Sequence, residues 1–322
     1  DSPAGLPLRV KFGVKTGQGL SGYTYQELSA IWAKSEELGF DSAWLHDHLF
    51  SSTNRTTDPT LEAYTTLGAL ARDTKRIRLG VMVTCVTFRN PAYLAKVSAT
   101  VDVISGGRFI MGIGTGWWEG EATSYGLRFP PVSERLGQLR ETLKILRLMW
   151  TEDSPSFKGE HFSITNAQCY PKPVQRNLPI WIGINSGTRT LPKMAVELGD
   201  GFNSTAAPEV CRKMVDRAEE TRVRSGRGRE EVAYSAQPEL LIGNDSEVEE
   251  VLKHEGERFG LTPQECLKKL KEEGCIIGTP ELCAQELRAY LDAGIEYLIP
   301  RIIGDTLLWP LETVSDKLLP LL

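Results

Sequence analysis

Two of the four histidines in this 322-residue chain stand together, in His46-Asp47-His48. Imidazole titrates near neutral pH and can move protons, and an adjacent carboxylate can fix its tautomer. His48 and Asp47 are therefore the candidate catalytic pair; His46 reads either as a partner or as a ring satisfied by loop backbone. No third ligand is evident nearby, so a metal site is not expected. A second group of candidates lies in Met82-Val83-Thr84-Cys85 and in Gly112-Ile113-Gly114-Thr115-Gly116-Trp117-Trp118. Alternating glycines allow close backbone approach to a flat ligand, or tight loop packing. This string is not a dinucleotide fingerprint, because two tryptophans follow where a helix should open. Trp117 and Trp118 either wall a cofactor pocket or pack the loop, and Glu119 and Glu121 read as exposed loop charges. The third group is Gly183-Ile184-Asn185-Ser186-Gly187-Thr188, leading into a helix near Thr188. Small polar residues and free N–H groups at a helix start suit a phosphate or a simple cap, and Arg189 adds charge.

Something must position these groups, and the chain alternates short buried runs with amphipathic stretches. The runs 8–14, 42–45, 77–83, 108–113, 180–183, 201–204, 231–242 and 297–302 read as eight strands. Helices are expected at 24–38, 91–104 and 133–150, from residue 279, and from 309 onward. Thr24 and Glu27 form a capping box for the first of these. Leu136, Leu139, Leu143, Leu146 and Trp150 give the 133–150 helix an apolar stripe that reads as core. The segment 151–179 reads as a Pro-rich surface hairpin and 245–274 as a charged helical insertion. Leu38-Gly39-Phe40-Asp41, Leu198-Gly199-Asp200 and Ala293-Gly294-Ile295-Glu296 repeat one helix–Gly–acid–strand joint. The expected fold is a (β/α)8 TIM barrel with insertion segments, residues 1–322 forming a single domain. In such barrels the catalytic groups sit at the C-terminal ends of the strands, where all three groups above fall.

Composition narrows the class. A formal net charge of −5 argues against a nucleic-acid partner, and Arg222, Arg224, Arg227 and Arg229 are interleaved with glutamates as at a solvated helix end. Cys85, Cys169, Cys211, Cys266, Cys275 and Cys283 show no zinc spacing and read as free thiols. No run of about 18 apolar residues suggests a membrane span, and no signal pattern is evident. The expectation is a cytoplasmic protein, with Asp1 to Pro7 a loose leader.

Asn90-Pro91, the run Val101-Asp102-Val103-Ile104-Ser105-Gly106-Gly107-Arg108-Phe109, the Gly112–Gly116 string, Gly199-Asp200-Gly201-Phe202-Asn203 and Asp47-His48 together resemble the luciferase-like monooxygenase superfamily. Within it the chain is most similar to the coenzyme F420-dependent oxidoreductases, and the resemblance runs from the first strand to the eighth. It implies a barrel mouth holding an isoalloxazine-like ring, a non-prolyl cis peptide at Met82–Val83 behind the ring, and a phosphate at Asn185 to Thr188. The implied cofactor-binding set is Met82, Val83, Thr84, Cys85, Gly116, Trp117, Gly183, Asn185, Ser186, Gly187 and Thr188. His48 would stand at the reactive edge with Asp47 beside it, and Lys15, Arg55 and Arg189 would face the anionic tail. The implied activity is hydride transfer between F420 and a small organic substrate. The alternatives are a two-component monooxygenase using FMN and a non-catalytic flavin-binding protein. The sugar-phosphate dehydrogenases of the group carry a glutamate where Trp117 stands and a lysine near Ala206-Ala207-Pro208, so a sugar phosphate is not the expected substrate. Trp117, Trp118, Gln237 and Glu239 would lie on specificity loops, and a homodimer is implied by the resemblance.

Overall fold

The computed structural model describes residues 10–16, 22–51 and 58–322. The leader at residues 1–7 and Arg55 lie outside these. The chain runs β1 (Lys11–Lys15), α1 (Tyr25–Glu37), β2 (Ser42–Leu45), α2 (Ala63–Asp73), β3 (Arg78–Cys85), α3 (Pro91–Ser105), β4 (Phe109–Gly114), α4 (Glu119–Ser124) and α5 (Val132–Thr151). It continues through β5 (Phe157–Lys158), β6 (Ser163–Ile164), β7 (Ile180–Ile184), α6 (Thr190–Glu197), β8 (Gly201–Ser204), α7 (Pro208–Ser225), β9 (Ala233–Ala236) and β10 (Glu239–Ile242). The last elements are α8 (Asp245–Phe259), α9 (Pro263–Glu272), β11 (Ile276–Gly278), α10 (Pro280–Asp292), β12 (Tyr297–Leu298), β13 (Arg301–Ile302) and α11 (Trp309–Thr313).

Eight parallel strands close into a barrel in the order β1-β12-β9-β8-β7-β4-β3-β2, with helices outside, as the alternating pattern predicts. β5 and β6 form the expected hairpin in the 151–179 excursion. The strand runs 231–242 and 297–302 are each two strands rather than one. Pro238 separates β9 from β10, and Pro300 separates β12 from β13; without an N–H, proline cannot continue a barrel ladder. Past these breaks, β10 pairs with β11 and β13 in a second small sheet. The 245–274 insertion covers it, burying Leu241, Val251, Leu252, Cys266, Leu270 and Ile303 in a cluster of their own. The sequence-based elements also include nothing between 46 and 76, where α2 forms. Glu62 caps α2 by accepting from the Thr65 N–H at 2.7 Å, so the usual small cap residue is absent.

The repeated helix–Gly–acid–strand joint has a physical role. Asp41 accepts the Phe12 N–H at 2.8 Å, Asp200 the Ile180 N–H at 2.9 Å, and Glu296 the Tyr234 N–H at 3.4 Å. Each acid thus satisfies the first free donor of a neighbouring strand at the closed end of the barrel. The arginines after α7 serve the same end: Arg227 pairs with Asp200 and Arg229 with Glu296, so the region is tied down rather than simply solvated. All six cysteines are free thiols. Among the described residues, no helix is long and apolar enough to cross a membrane.

Candidate active site

A cavity of 550 Å³ opens at the C-terminal ends of the barrel strands. That size falls in the range of small-molecule and cofactor sites. Its lining includes His46, Asp47 and His48 after β2, Met82, Val83 and Cys85 on β3, and Gly116, Trp117 and Trp118 after β4. Gly183 and the Asn185–Arg189 loop after β7 complete it, with Lys15 and Gln237 also in the lining. The fold therefore brings together residues as far apart as Lys15 and Gln237 in an order that only the closed barrel supplies.

Two predicted residues lie elsewhere. Thr84 points away from the cavity, fully buried, with its hydroxyl 2.7 Å from that of Tyr64. Alternation along β3 sends it outward while Val83 points in, so it belongs to the packing between barrel and helices. Glu239 is not at the mouth: it pairs with Arg301 at 2.8 Å across the small sheet.

The Met82–Val83 peptide is cis, as the resemblance implies. The β3–β4 register shifts between Val81 and Thr84 at this point, and Val83 bulges into the barrel. The neighbouring glycines make room for it. A Cβ on Gly114 would lie 2.8 Å from the Val83 side chain, one on Gly183 2.7 Å from it, and one on Gly112 2.1 Å from the Val81 carbonyl. The glycine string therefore accommodates the bulge that forms the cavity wall. Gly116 sits at φ 76°, where a side chain would also strike Cys85.

Asp47 is turned away from both imidazoles. Its two oxygens take Arg89 in a bidentate pair at 2.6 and 2.8 Å, and one also accepts the Cys85 N–H at 2.9 Å. Arg89 extends to Glu62 at 2.7 Å and lies over the Tyr64 ring. Asp47 thus fixes the end of β2 to the end of β3 and leaves the histidine tautomer to another group. That group is Glu121. Its carboxylate, 2 % exposed, meets His48 Nδ1 at 3.0 and 3.2 Å and accepts the Leu49 N–H at 2.6 Å. Glu121 is therefore no exposed loop charge, because the short helix α4 carries it inward; Glu119, at the start of the same helix, is exposed. With Nδ1 held, Nε2 is the nitrogen that His48 offers to the cavity.

His46 lies 5.5 Å from His48 between ring centres, with its Nδ1 buried and unpartnered. Burial, then the charges of His48 and Lys15, hold its pKa well below the usual imidazole range, so it stays neutral. Burial, then Arg301, brings the Lys15 amine down to about 7. On the opposite side, α6 begins at Thr190, two residues later than expected, and no side chain caps it. Asn185, Ser186 and Gly187 ahead of it are exposed, as are Arg189 and Thr190, so the helix start lies open. Sequence reading missed Arg89 and Glu121 because their partners stand 42 and 73 residues away, beyond any local spacing signal.

This site and barrel fall within a known family. The family description "Luciferase-like monooxygenase" matches residues 8–297. The chain belongs to the luciferase-like monooxygenase family. It is 28% identical over 295 residues to the "F420-dependent glucose-6-phosphate dehydrogenase" of Amycolatopsis mediterranei (strain U-32), covering 85% of this chain and 87% of that one. Among solved structures, an "F420-dependent secondary alcohol dehydrogenase in complex with an F420-acetone adduct" superposes with a TM-score of 0.79 at 20% identity, covering 96% and 98% of the two chains. A monooxygenase from Streptomyces bottropensis superposes at 0.81 and 18% identity over 96% and 99%. At these identities the structures establish the shared fold.

Proposed function

We propose that this protein is a coenzyme F420-dependent oxidoreductase acting on a small organic substrate, with His48 as the group that gives or takes the proton. The observation that carries the reading is the convergence, in one cavity, of the Val83 bulge, the uncapped α6 start and a histidine oriented by a buried carboxylate. The relatives named above support the choice of cofactor.

The residues present fit such a group. Val83, backed by Gly114 and Gly183, offers an apolar ridge for one face of a flat ring. Asn185, Ser186, Gly187 and Thr188 would hold a phosphate through backbone N–H groups, with Arg189 adding charge. Met82, Cys85 and Gly116 would close the remaining wall. When bound, the deazaflavin supplies hydride transfer at its C5 position. The chain's part is to hold Nε2 of His48 where a proton is exchanged and to keep His46 neutral beside it. Asp47 acts by locking the strand ends that carry these groups.

Titration of the purified protein with F420 and with FMN, followed by cofactor fluorescence and binding heat, tests the assignment. Tight binding of F420 in preference to FMN is expected. Preference for FMN would move the reading to a two-component monooxygenase, and binding of neither would remove the phosphate position at Asn185–Thr188. In the F420-loaded protein, His48→Ala should lower turnover by about 10²- to 10⁴-fold with little change in cofactor affinity. Unchanged turnover would assign the proton elsewhere.

A further inference from the structure

One wall of the cavity around His48 is made of rings. Trp117 and Trp118 stack at 5.9 Å, and their ring centres lie 5.7 and 6.1 Å from that of His48. Phe50 meets Trp118 edge-on at 4.8 Å and stacks on Tyr125 at 6.2 Å, so the aromatic wall continues outward from the cavity. Phe88, Val132 and Leu136 extend the apolar lining. Trp117, Tyr125 and Val132 are 57%, 58% and 57% exposed. Contiguous apolar surface kept open to water beside a catalytic group is a cost that a bound apolar molecule removes.

The charged lining residues are committed elsewhere. Asp47 is held by Arg89, and Glu121 by His48 and the Leu49 N–H. Among the described lining residues the remaining cations are Lys15 and Arg189. Lys15 is 2 % exposed and sits in the field of Arg301 and Glu239. Arg189 stands at the loop assigned above to the cofactor phosphate. A doubly charged substrate at His48 would therefore be desolvated with no cation of its own beside it.

We propose, resting on the cofactor assignment above, that the substrate is an uncharged, flat, apolar carbonyl compound or the alcohol it yields, bound against the Trp117–Trp118 wall with its oxygen toward His48. Trp117 then belongs to the substrate wall rather than to the cofactor set. In the reducing direction the carbonyl carbon gains a hydride, which oxidises the reduced cofactor by two electrons, and the carbonyl oxygen takes the proton from His48. The alcohol-to-carbonyl direction reverses both transfers.

The test uses the protein loaded with reduced F420 for 2-acetonaphthone and with oxidised F420 for glucose 6-phosphate. Binding is followed by tryptophan quenching and turnover by the deazaflavin absorbance. The ketone should bind and be reduced, while glucose 6-phosphate should neither bind nor be oxidised. Trp117→Ala and, independently, Val132→Lys should each weaken the ketone by about tenfold, as loss of an aromatic or apolar contact does, with F420 affinity unchanged. Turnover of glucose 6-phosphate without ketone binding would overturn the proposal and leave the cofactor reading standing. Failure to bind F420 would remove both. If the two variants leave ketone affinity unchanged but alter the molecular mass in solution, the aromatic wall is an interface between copies of the chain and the proposal falls.

Discussion

The working nitrogen of His48 is chosen by a carboxylate on another element. Glu121 is buried against His48 Nδ1 and the Leu49 N–H, so both its partners are N–H groups and the ring is held at Nδ1. Glu121→Gln keeps the shape and removes the charge. We expect kcat to fall by about tenfold with KM nearly constant, since the lost bond orients rather than binds. Nitrogen NMR of His48 should at the same time lose the signature of a proton fixed on Nδ1. A fall in KM alone, or an unchanged spectrum, would show that Glu121 serves only the loop. Asp47, adjacent in sequence, has the residue type for this task but not the direction, because Arg89 and the Cys85 N–H take both its oxygens.

At the scale of elements, the cavity wall depends on the missing side chains of β4 and β7. Val83 projects from its register shift into space that a Cβ on either Gly114 or Gly183 would occupy. Gly183→Ala should cost about 1–3 kcal/mol, as overpacking of a rigid contact does, and should weaken F420 binding by displacing the ridge. Val83→Ala in the same chain should restore much of the stability, because it removes the atoms that the new methyl meets. Thermal melts of the single and double variants read this coupling directly. Additive losses would mean that the glycine is needed for some other reason.

For the whole molecule, the joint between barrel and small sheet is a buried charge cluster. Asp305, 1 % exposed, accepts from the Tyr23 hydroxyl at 2.8 Å and leaves its other oxygen unpartnered. Glu255, Arg258 and Arg301 also face it. Burial is the main cause that brings its pKa up to about 7. The folded state therefore holds this proton more tightly than the unfolded chain, and the contribution to stability is full below about pH 4. It is lost as pH rises to about 7, amounting to a few kcal/mol at about 1.4 kcal/mol per unit. Lys15, brought down to about 7, has the opposite sign in the next window: stability returns as pH rises toward its unfolded value. Denaturant melts from pH 5 to 8 should show Asp305→Asn gaining on the wild-type protein as pH rises. A constant difference would mean that Asp305 is ionised throughout.

The sequence by itself determined the alternation of strands and helices, the place of the glycines, the Asp47-His48 and Asn185–Thr188 candidates, and hence the barrel and its family. These are local signals: buried runs, caps, and glycine where a side chain does not fit. The breaks at Pro238 and Pro300 were legible in principle, since proline ends a ladder, but the small sheet built beyond them needs pairing partners far along the chain. Only the tertiary structure decided that Glu121 rather than Asp47 holds His48, that Thr84 faces outward, and that the two tryptophans stand open beside the proton-handling ring. Side-chain direction at a strand end depends on which neighbour supplies a donor or leaves a space, and in a closed barrel those neighbours arrive from distant parts of the sequence.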